Sequence, residues 1–419
     1  MAQVVAQRFP PPQFTETGHV LPLPTEPAVR ALWLDYLDAG VLIAALALVS
    51  WLVLRRRSRS GVVAVGIFSV LYFGFWRKGC ICSIGSIQNL SQALFDSSFG
   101  VPLTVLAFGL VPLLFALFFG RTFCAAVCPH GALQDLVLLK PVKVPAWLDH
   151  SLRMLAWIYL GLAVVFAATG GGYIICQYDP FVPIFRLSGS LTMVLFGVSL
   201  LAVGIFVGRP YCRFLCPYGV LLGLAASVSK WRVRITPDTC TQCRLCEESC
   251  AFGAINKSAV DAPARPPAAD KRRLMLLLVL LPVLIGGGIG LGGLAGGALA
   301  GKHRIVNLAE RLQLEESGAV QDTTDASAAF RAGNHSIATL YAEARALHHR
   351  YVVAARWCGA WIGLVIGFKL LSLAIVRRRT DYEADQAHCL SCARCYRSCP
   401  QELQRLGLPV PETPKPANG

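Results

Sequence analysis

The chain has 419 residues, 55 % hydrophobic and 15 % charged, with mean hydropathy +0.54 and net charge +15. Soluble domains carry about 25 % charged residues, so the composition excludes a soluble globular protein and indicates a membrane protein. The positive charge does not signal nucleic acid, because Lys and Arg gather at the ends of apolar runs, where they set topology.

Residues 1–36 are Pro-rich and lack a basic start, and Arg55-Arg56-Arg57 follow the first apolar run. They read as an outer N-terminal segment leading into an uncleaved anchor rather than as a secretory signal. Apolar runs able to cross a hydrocarbon core of about 30 Å occur at 37–54, 61–79, 101–120, 151–170, 190–208, 274–299 and 353–376. The pattern predicts an all-α polytopic membrane protein with about seven transmembrane helices. With Arg55–Arg59 inside, the inner segments 55–60, 121–150, 209–273 and 377–419 hold 25 Lys/Arg, against 11 in the outer segments 1–36, 77–100, 171–189 and 301–350. That excess places the N-terminus outside and the C-terminus in the cytoplasm.

After the second span come Cys80 and Cys82 in RKGCICSIGSIQN, and after the fourth comes Cys176 in YIICQYDPF. Both loops are expected outside. One reading makes the three cysteines an outer redox site; the other joins Cys176 to a partner in a disulfide. Three cysteines are one short of a cube.

Residues 103–136 and 191–224 match at an offset of 88, and each copy ends in G-R-x-x-C-x3-C-P-x-G. Such a duplication predicts a pseudo-two-fold membrane core, placed within 37–230. Cysteines four apart share a helix face, so Cys124, Cys128, Cys212 and Cys216 can surround one point. They are candidates for a third iron–sulfur centre or another soft-metal site, or else for packing residues and reversible dithiols. Arg121 and Arg209 read as markers of the inner interface.

Two further runs have the spacing C-x2-C-x2-C-x3-C: Cys240, Cys243, Cys246 and Cys250, then Cys389, Cys392, Cys395 and Cys399 before Pro400. This is the bacterial ferredoxin spacing, in which three cysteines hold one [4Fe–4S] cube and the fourth ligates the other. A zinc site has no use for the evenly stepped third cysteine. The spacing therefore predicts two clusters with crossed ligation. Cys240, Cys243, Cys246 and Cys399 take one, and Cys389, Cys392, Cys395 and Cys250 take the other. The runs are 139 residues apart, but the hairpin 274–376, with its outer loop 302–352, delivers the second beside the first. Residues 231–260 and 377–405 then form a small α+β ferredoxin-like module on the cytoplasmic side, with a linker at 261–273 and a tail at 406–419. Ala251 stands where such runs usually have proline.

Weaker features remain. His348-His349 could approach a haem, yet C-x-x-C-H is absent. His130 and His388 adjoin cysteines and can tune a centre. Cys358 reads as an apolar filler and Lys369 as a snorkelling residue. Small residues from Gly287 to Gly301 suit close helix packing. The outer loop reads as helical. No dinucleotide fingerprint or P-loop occurs.

The paired C-x3-C-P sequences, the two four-cysteine runs and the GCICSIGSIQN and CQYDPF loops resemble the NosR/NapH-type membrane polyferredoxins. The resemblance covers roughly 61–255 and 380–400. It implies a multi-pass protein of the bacterial inner membrane. Such a protein passes electrons between the quinone pool or a cytoplasmic donor and a periplasmic reductase or membrane-complex subunits. With 36 residues before the first span, the outer flavin domain of NosR is not expected, nor is the loop 302–352 a feature of the family. The expected partners are membrane lipid, that donor and that acceptor, with no nucleic acid, and a quinone or a buried centre must bridge the bilayer. The reading is of an electron carrier rather than a stand-alone enzyme; the alternatives are a maturation factor and a redox regulator for a respiratory complex.

Overall fold

The computed structural model describes residues 31–79, 83–97, 99–169, 172–235, 243–256, 267–333, 336–374, 382–405, 407 and 409–410. Helix α1 (Leu32–Trp51) runs on as a π-helical turn to Arg56, and α2 (Arg59–Ser69) runs on similarly to Trp76. Ser58 starts α2 by accepting the Gly61 N–H, a cap that also breaks the chain between two spans. Next come α3 (Ser86–Phe95), α4 (Leu103–Phe119), a π turn (Phe123–Val127), α5 (Pro129–Leu136) and α6 (Ala146–Ala168). Short helices α7 (Ile174–Gln177) and α8 (Val182–Arg186) precede α9 (Leu191–Gly204), α10 (Pro210–Phe214) and α11 (Pro217–Ser227). The remaining elements are α12 (Leu245–Ser249), β1 (Ile255–Asn256), α13 (Pro267–Ala300), α14 (Arg304–Glu316), α15 (Asp325–Ala332), α16 (Ile337–Ala374), β2 (Glu383–Ala384), α17 (Arg394–Ser398) and α18 (Pro400–Arg405).

Among the described residues, five helices are long and apolar enough to cross a membrane: Leu32–Arg56, Arg59–Trp76, Ala146–Ala168, Lys271–Ala300 and Ile337–Ala374. Two of the seven expected spans are shorter. Helix α4 has 17 residues and α9 has 14, about 25 and 21 Å at 1.5 Å per residue. Both are cut short because the chain doubles back into the bundle after Gly120 and after Gly208. Ser69, ten residues into α2, donates to the Val127 carbonyl, and Tyr218 donates to the Gly109 carbonyl in the first half of α4 at 2.7 Å. Helices α5 and α11 then return, bringing Asp135 to Arg59 at the start of α2 and the Trp231 N–H to Phe118 at the end of α4. Each G-R-x-x-C-x3-C-P segment is thus a re-entrant loop with its C-P turn deep in the bundle.

Irregular backbone at such depth survives only where protein satisfies it. Arg209 does so by donating to the carbonyls of Cys124 and Ala125.

Helices α13 and α16 form the hairpin, held by one glycine stripe on each. A Cβ at Gly288 would lie 2.2 Å from the Gly359 carbonyl, one at Gly292 2.2 Å from that of Ala355, and one at Gly363 2.3 Å from that of Leu284. Residues four apart share a face, so Gly288, Gly292 and Gly296 let the two backbones meet. Helix α16 also packs on α6, where the Trp361 indole N–H donates to the Trp157 carbonyl at 2.7 Å. The loop 302–352 is helical, and Ala309 and Leu312 of α14 pack on Leu340 and Ala344 of α16.

At the far end of the hairpin, β1 and β2 pair antiparallel in the register Ile255↔Ala384 and Asn256↔Glu383. This small sheet sets α12 against α17 and brings the two four-cysteine runs together.

Candidate functional site

Within the module, Cys250 lies with Cys389, Cys392 and Cys395, near enough for their charges to act on one another. The fourth cysteine of the first run therefore sits with three of the second. Cys243 is exposed, Cys246 buried and Cys399 half-buried, while Cys240 lies outside the described residues. Burial pushes the Cys389 thiol up to about 12 and lifts those of Cys392 and Cys395 as well. Thiols so placed ionise only beside a compensating cation, which suits a soft metal centre.

The module is seated on the membrane core by arginines. Arg213 donates to the Ala251 carbonyl (3.3 Å), Arg153 to that of Phe252 (3.1 Å), Arg121 to that of Ala387 (3.0 Å) and Arg59 to that of Cys392 (3.2 Å). The glycine of each G-R pair makes room for this contact. A Cβ at Gly208 would stand 2.7 Å from the Ala251 carbonyl, and Gly120, at φ +74°, faces Ser391.

The second cysteine group lies directly beneath. Cys124, Cys128 and Cys216 are buried and Cys212 half-buried, and Cys216 lies within electrostatic reach of the other three. Gln134 donates to the Cys212 sulfur at 3.3 Å, the Gly219 N–H to that of Cys216 at 3.3 Å, and Arg121 to that of Cys124 at 3.6 Å. Among the described residues, no group of three or more His, Cys, Asp or Glu converges as one bare ion would need. A cube, with one cysteine at each iron, spreads its ligands wider. Four thiols, three facing donors and no competing carboxylate suit such a cluster.

Arg121 and Arg209 are buried where the module meets the membrane core, at 6 % and 0 % exposure. Arg209 lies between the groups, feeling the charges of Cys212 and Cys124 on one side and Cys392 on the other. The loop 172–189 is part exposed and part buried. Its Cys176 is exposed, but Asp179 is buried and pairs with His130 at 3.1 Å. The His130 ring is boxed by Phe181, Phe185 and Tyr211. The Lys369 Nζ lies 3.2 Å from the Nδ1 of half-buried His150. Cys80 and Cys82 lie outside the described residues. His388 pairs with Asp385 at 3.1 Å, and His348 and His349 are exposed.

A cavity of about 580 Å³ opens against the membrane cysteines. It is lined by apolar Met154, Trp157, Trp361, Leu364 and Phe368, by Cys212 and Cys216, and by polar Arg121, Arg213, Lys369 and His388. Periodicity could not reveal it, because it forms between α6, α11 and α16. Gln134 was legible in principle. The string C-P-H-G-A-L-Q ending at Gln134 parallels C-S-I-G-S-I-Q ending at Gln88. Each glutamine accepts the N–H just before a cysteine, Tyr211 before Cys212 and Ile175 before Cys176, both at 3.0 Å.

A buried cysteine quartet under a cysteine-rich module, within a bundle of apolar helices, defines a membrane iron–sulfur protein of the ferredoxin type. The family described as 4Fe-4S binding domain matches residues 101–145 and 190–236, and so falls on the two C-x3-C-P copies. The chain is 29 % identical to Protein NirI of Paracoccus denitrificans over 58 % of its length and 39 % of that protein's. To Regulatory protein NosR of Pseudomonas aeruginosa it is 27 % identical, over 55 % of its length and 36 % of that protein's. To the Methylamine utilization ferredoxin-type protein MauN of Paracoccus denitrificans it is 27 % identical, over 48 % and 75 %. The chain is related to the NosR/NirI group of membrane ferredoxin-type proteins, and its matches span little more than a third of NirI and NosR. No solved structure matches it.

Proposed function

We propose that the chain is a membrane-integral electron conduit with three iron–sulfur centres, two in the module and one on Cys124, Cys128, Cys212 and Cys216. Bound there, the clusters would supply one-electron transfer. The observation that carries this reading is the placing of four thiols, three of them buried, beneath the module, with the guanidinium groups of Arg121 and Arg209 between the groups. The residues of the chain hold ligands in place, exclude water and set potentials. The cysteines of the first module centre are Cys240, Cys243, Cys246 and Cys399, and those of the second are Cys389, Cys392, Cys395 and Cys250.

The chemistry of the cavity against Cys212 and Cys216 suits a quinone: its apolar residues would take a ring and tail, and Arg121, Arg213 and Lys369 in its lining would donate to the oxygens. Donor electrons would enter there or at the cytoplasmic module. Cys176, with Cys80 and Cys82, would face the periplasmic acceptor of a bacterial inner-membrane protein whose C-terminus is cytoplasmic.

Anaerobic purification with iron and sulfide counting and EPR tests the reading. About twelve irons per chain are expected; about eight would mean that the membrane quartet holds none. A regulatory or maturation role is the second reading, favoured by the name of NosR. Deletion separates them: a fully assembled but undriven reductase supports the conduit, and an apo-reductase or altered transcription supports the alternative.

A further inference from the structure

Among the buried positions at which the two halves of the membrane quartet differ, one carries a hydrogen-bond donor to a cysteine of the other half. At the offset of 88 that superposes the repeats, Gln134 falls on Leu222, and both are buried, at 0 % and 1 % exposure. The Gln134 amide is fixed from two sides. Its oxygen accepts the Tyr211 N–H at 3.0 Å, and because a backbone N–H needs an acceptor, this settles which end of the amide is which. Its nitrogen then donates to the His130 carbonyl at 2.9 Å and to the Cys212 sulfur at 3.3 Å. Leu222 has no donor to offer Cys124, beside which Arg121 stands at 3.6 Å.

We propose that Gln134 sets the reduction potential of the membrane centre by donating its amide hydrogen to the Cys212 sulfur. The inference rests on the reading that this quartet holds an iron–sulfur cluster. Reduction adds one negative charge to the centre and its thiolates. A donor aimed at a ligand sulfur stabilises the reduced form more than the oxidised one, and low local dielectric enlarges the difference. Gln134 therefore raises the potential and makes the centre an easier electron acceptor. Arg121 does the same at Cys124 with a charge, and Arg209 adds its own charge beside both Cys212 and Cys124.

The test uses the full chain, purified anaerobically in detergent. Gln134→Leu places in the first copy the side chain that the second already carries. Iron content should stay near twelve per chain, while an EPR-monitored titration should show the membrane centre reduced less readily. A tenfold fall in the reduced-to-oxidised ratio is expected, about 59 mV for a one-electron couple. Pulsed EPR on wild-type protein labelled with glutamine carrying 15N in its side-chain amide needs no variant, so it reads the contact even if Gln134→Leu misfolds. A 15N coupling to the membrane centre is expected in the wild type and its loss in Gln134→Leu. Twelve irons with an unmoved potential, or a wild-type centre without 15N coupling, overturns this assignment alone. A count of about eight irons overturns the quartet centre and this inference together.

Discussion

Arg209 and Asp135 tie the re-entrant loops to the rest of the bundle. Arg209 is fully buried, and Asp135 faces Arg209 at 3.4 Å, Arg394 of the module at 3.0 Å, and Arg59. Burial alone would raise the Asp135 carboxyl, but the charges of Arg209, Arg59 and Arg394 overcome it and hold the group well below the usual carboxylate range. Asp135→Asn leaves Arg209 buried without its counter-charge and should cost about 3–5 kcal/mol, read as a lower unfolding temperature in detergent. The depressed folded value also fixes the pH dependence. The contribution of Asp135 is complete above the unfolded carboxylate pKa of about 4 and is lost as pH falls through the folded value. Thermal melts should show the gap between wild type and Asp135→Asn closing as the medium is acidified below about pH 4, and a constant gap would count against the ion-pair account. The sequence marked Arg209 by its repeated G-R, yet its surroundings were hidden. Asp135, Arg59 and Arg394 come from three separate segments, and only their convergence makes a basic residue at an apolar boundary a buried one.

Helices differ in how much their sequences reveal. The packing of α13 on α16 was readable, because glycines four apart leave a groove whatever the partner is. Gly292→Leu should force the helices apart, since even a Cβ there would lie 2.2 Å from the Ala355 carbonyl. The second four-cysteine run is carried by that helix, so iron per chain should fall, whereas Gly290→Leu, with nothing within 4 Å of its Cβ, should leave it unchanged. Equal iron in both variants would separate hairpin packing from module assembly. The lengths of α4 and α9 were not readable. An apolar window counts residues up to the next charge, and here that charge, Arg121 or Arg209, is itself inside the protein. Hydropathy reports the polarity of a segment and not its depth, so a short helix leading into a buried turn reads as one longer span.

Taken whole, the module meets the membrane core beside the quartet, and His130, two residues from Cys128, pairs with Asp179, three residues from Cys176. The cavity opens on the quartet between α6, α11 and α16. Leu364→Trp should fill that space without touching a cysteine. The prediction is that quinol no longer reduces the purified protein while dithionite still reduces every centre, as followed by visible absorbance. Unchanged reduction by quinol would exclude the cavity as its entry point. The cysteine spacings and the repeated segment could be read at this scale because both are local patterns of sequence. The cavity and the Asp179 contact could not, since they arise where distant segments meet.

The strand pair β1–β2 also orders events during synthesis. Ile255 leaves the ribosome 128 residues before its partner strand begins at Glu383, a wait of roughly 6–25 s at 5–20 residues per second. Through that interval both hairpin helices must enter the bilayer while the first four thiols stand without their fold. On the proposed reading, metallation of the module would follow insertion of the last helix, because only then can the two strands pair.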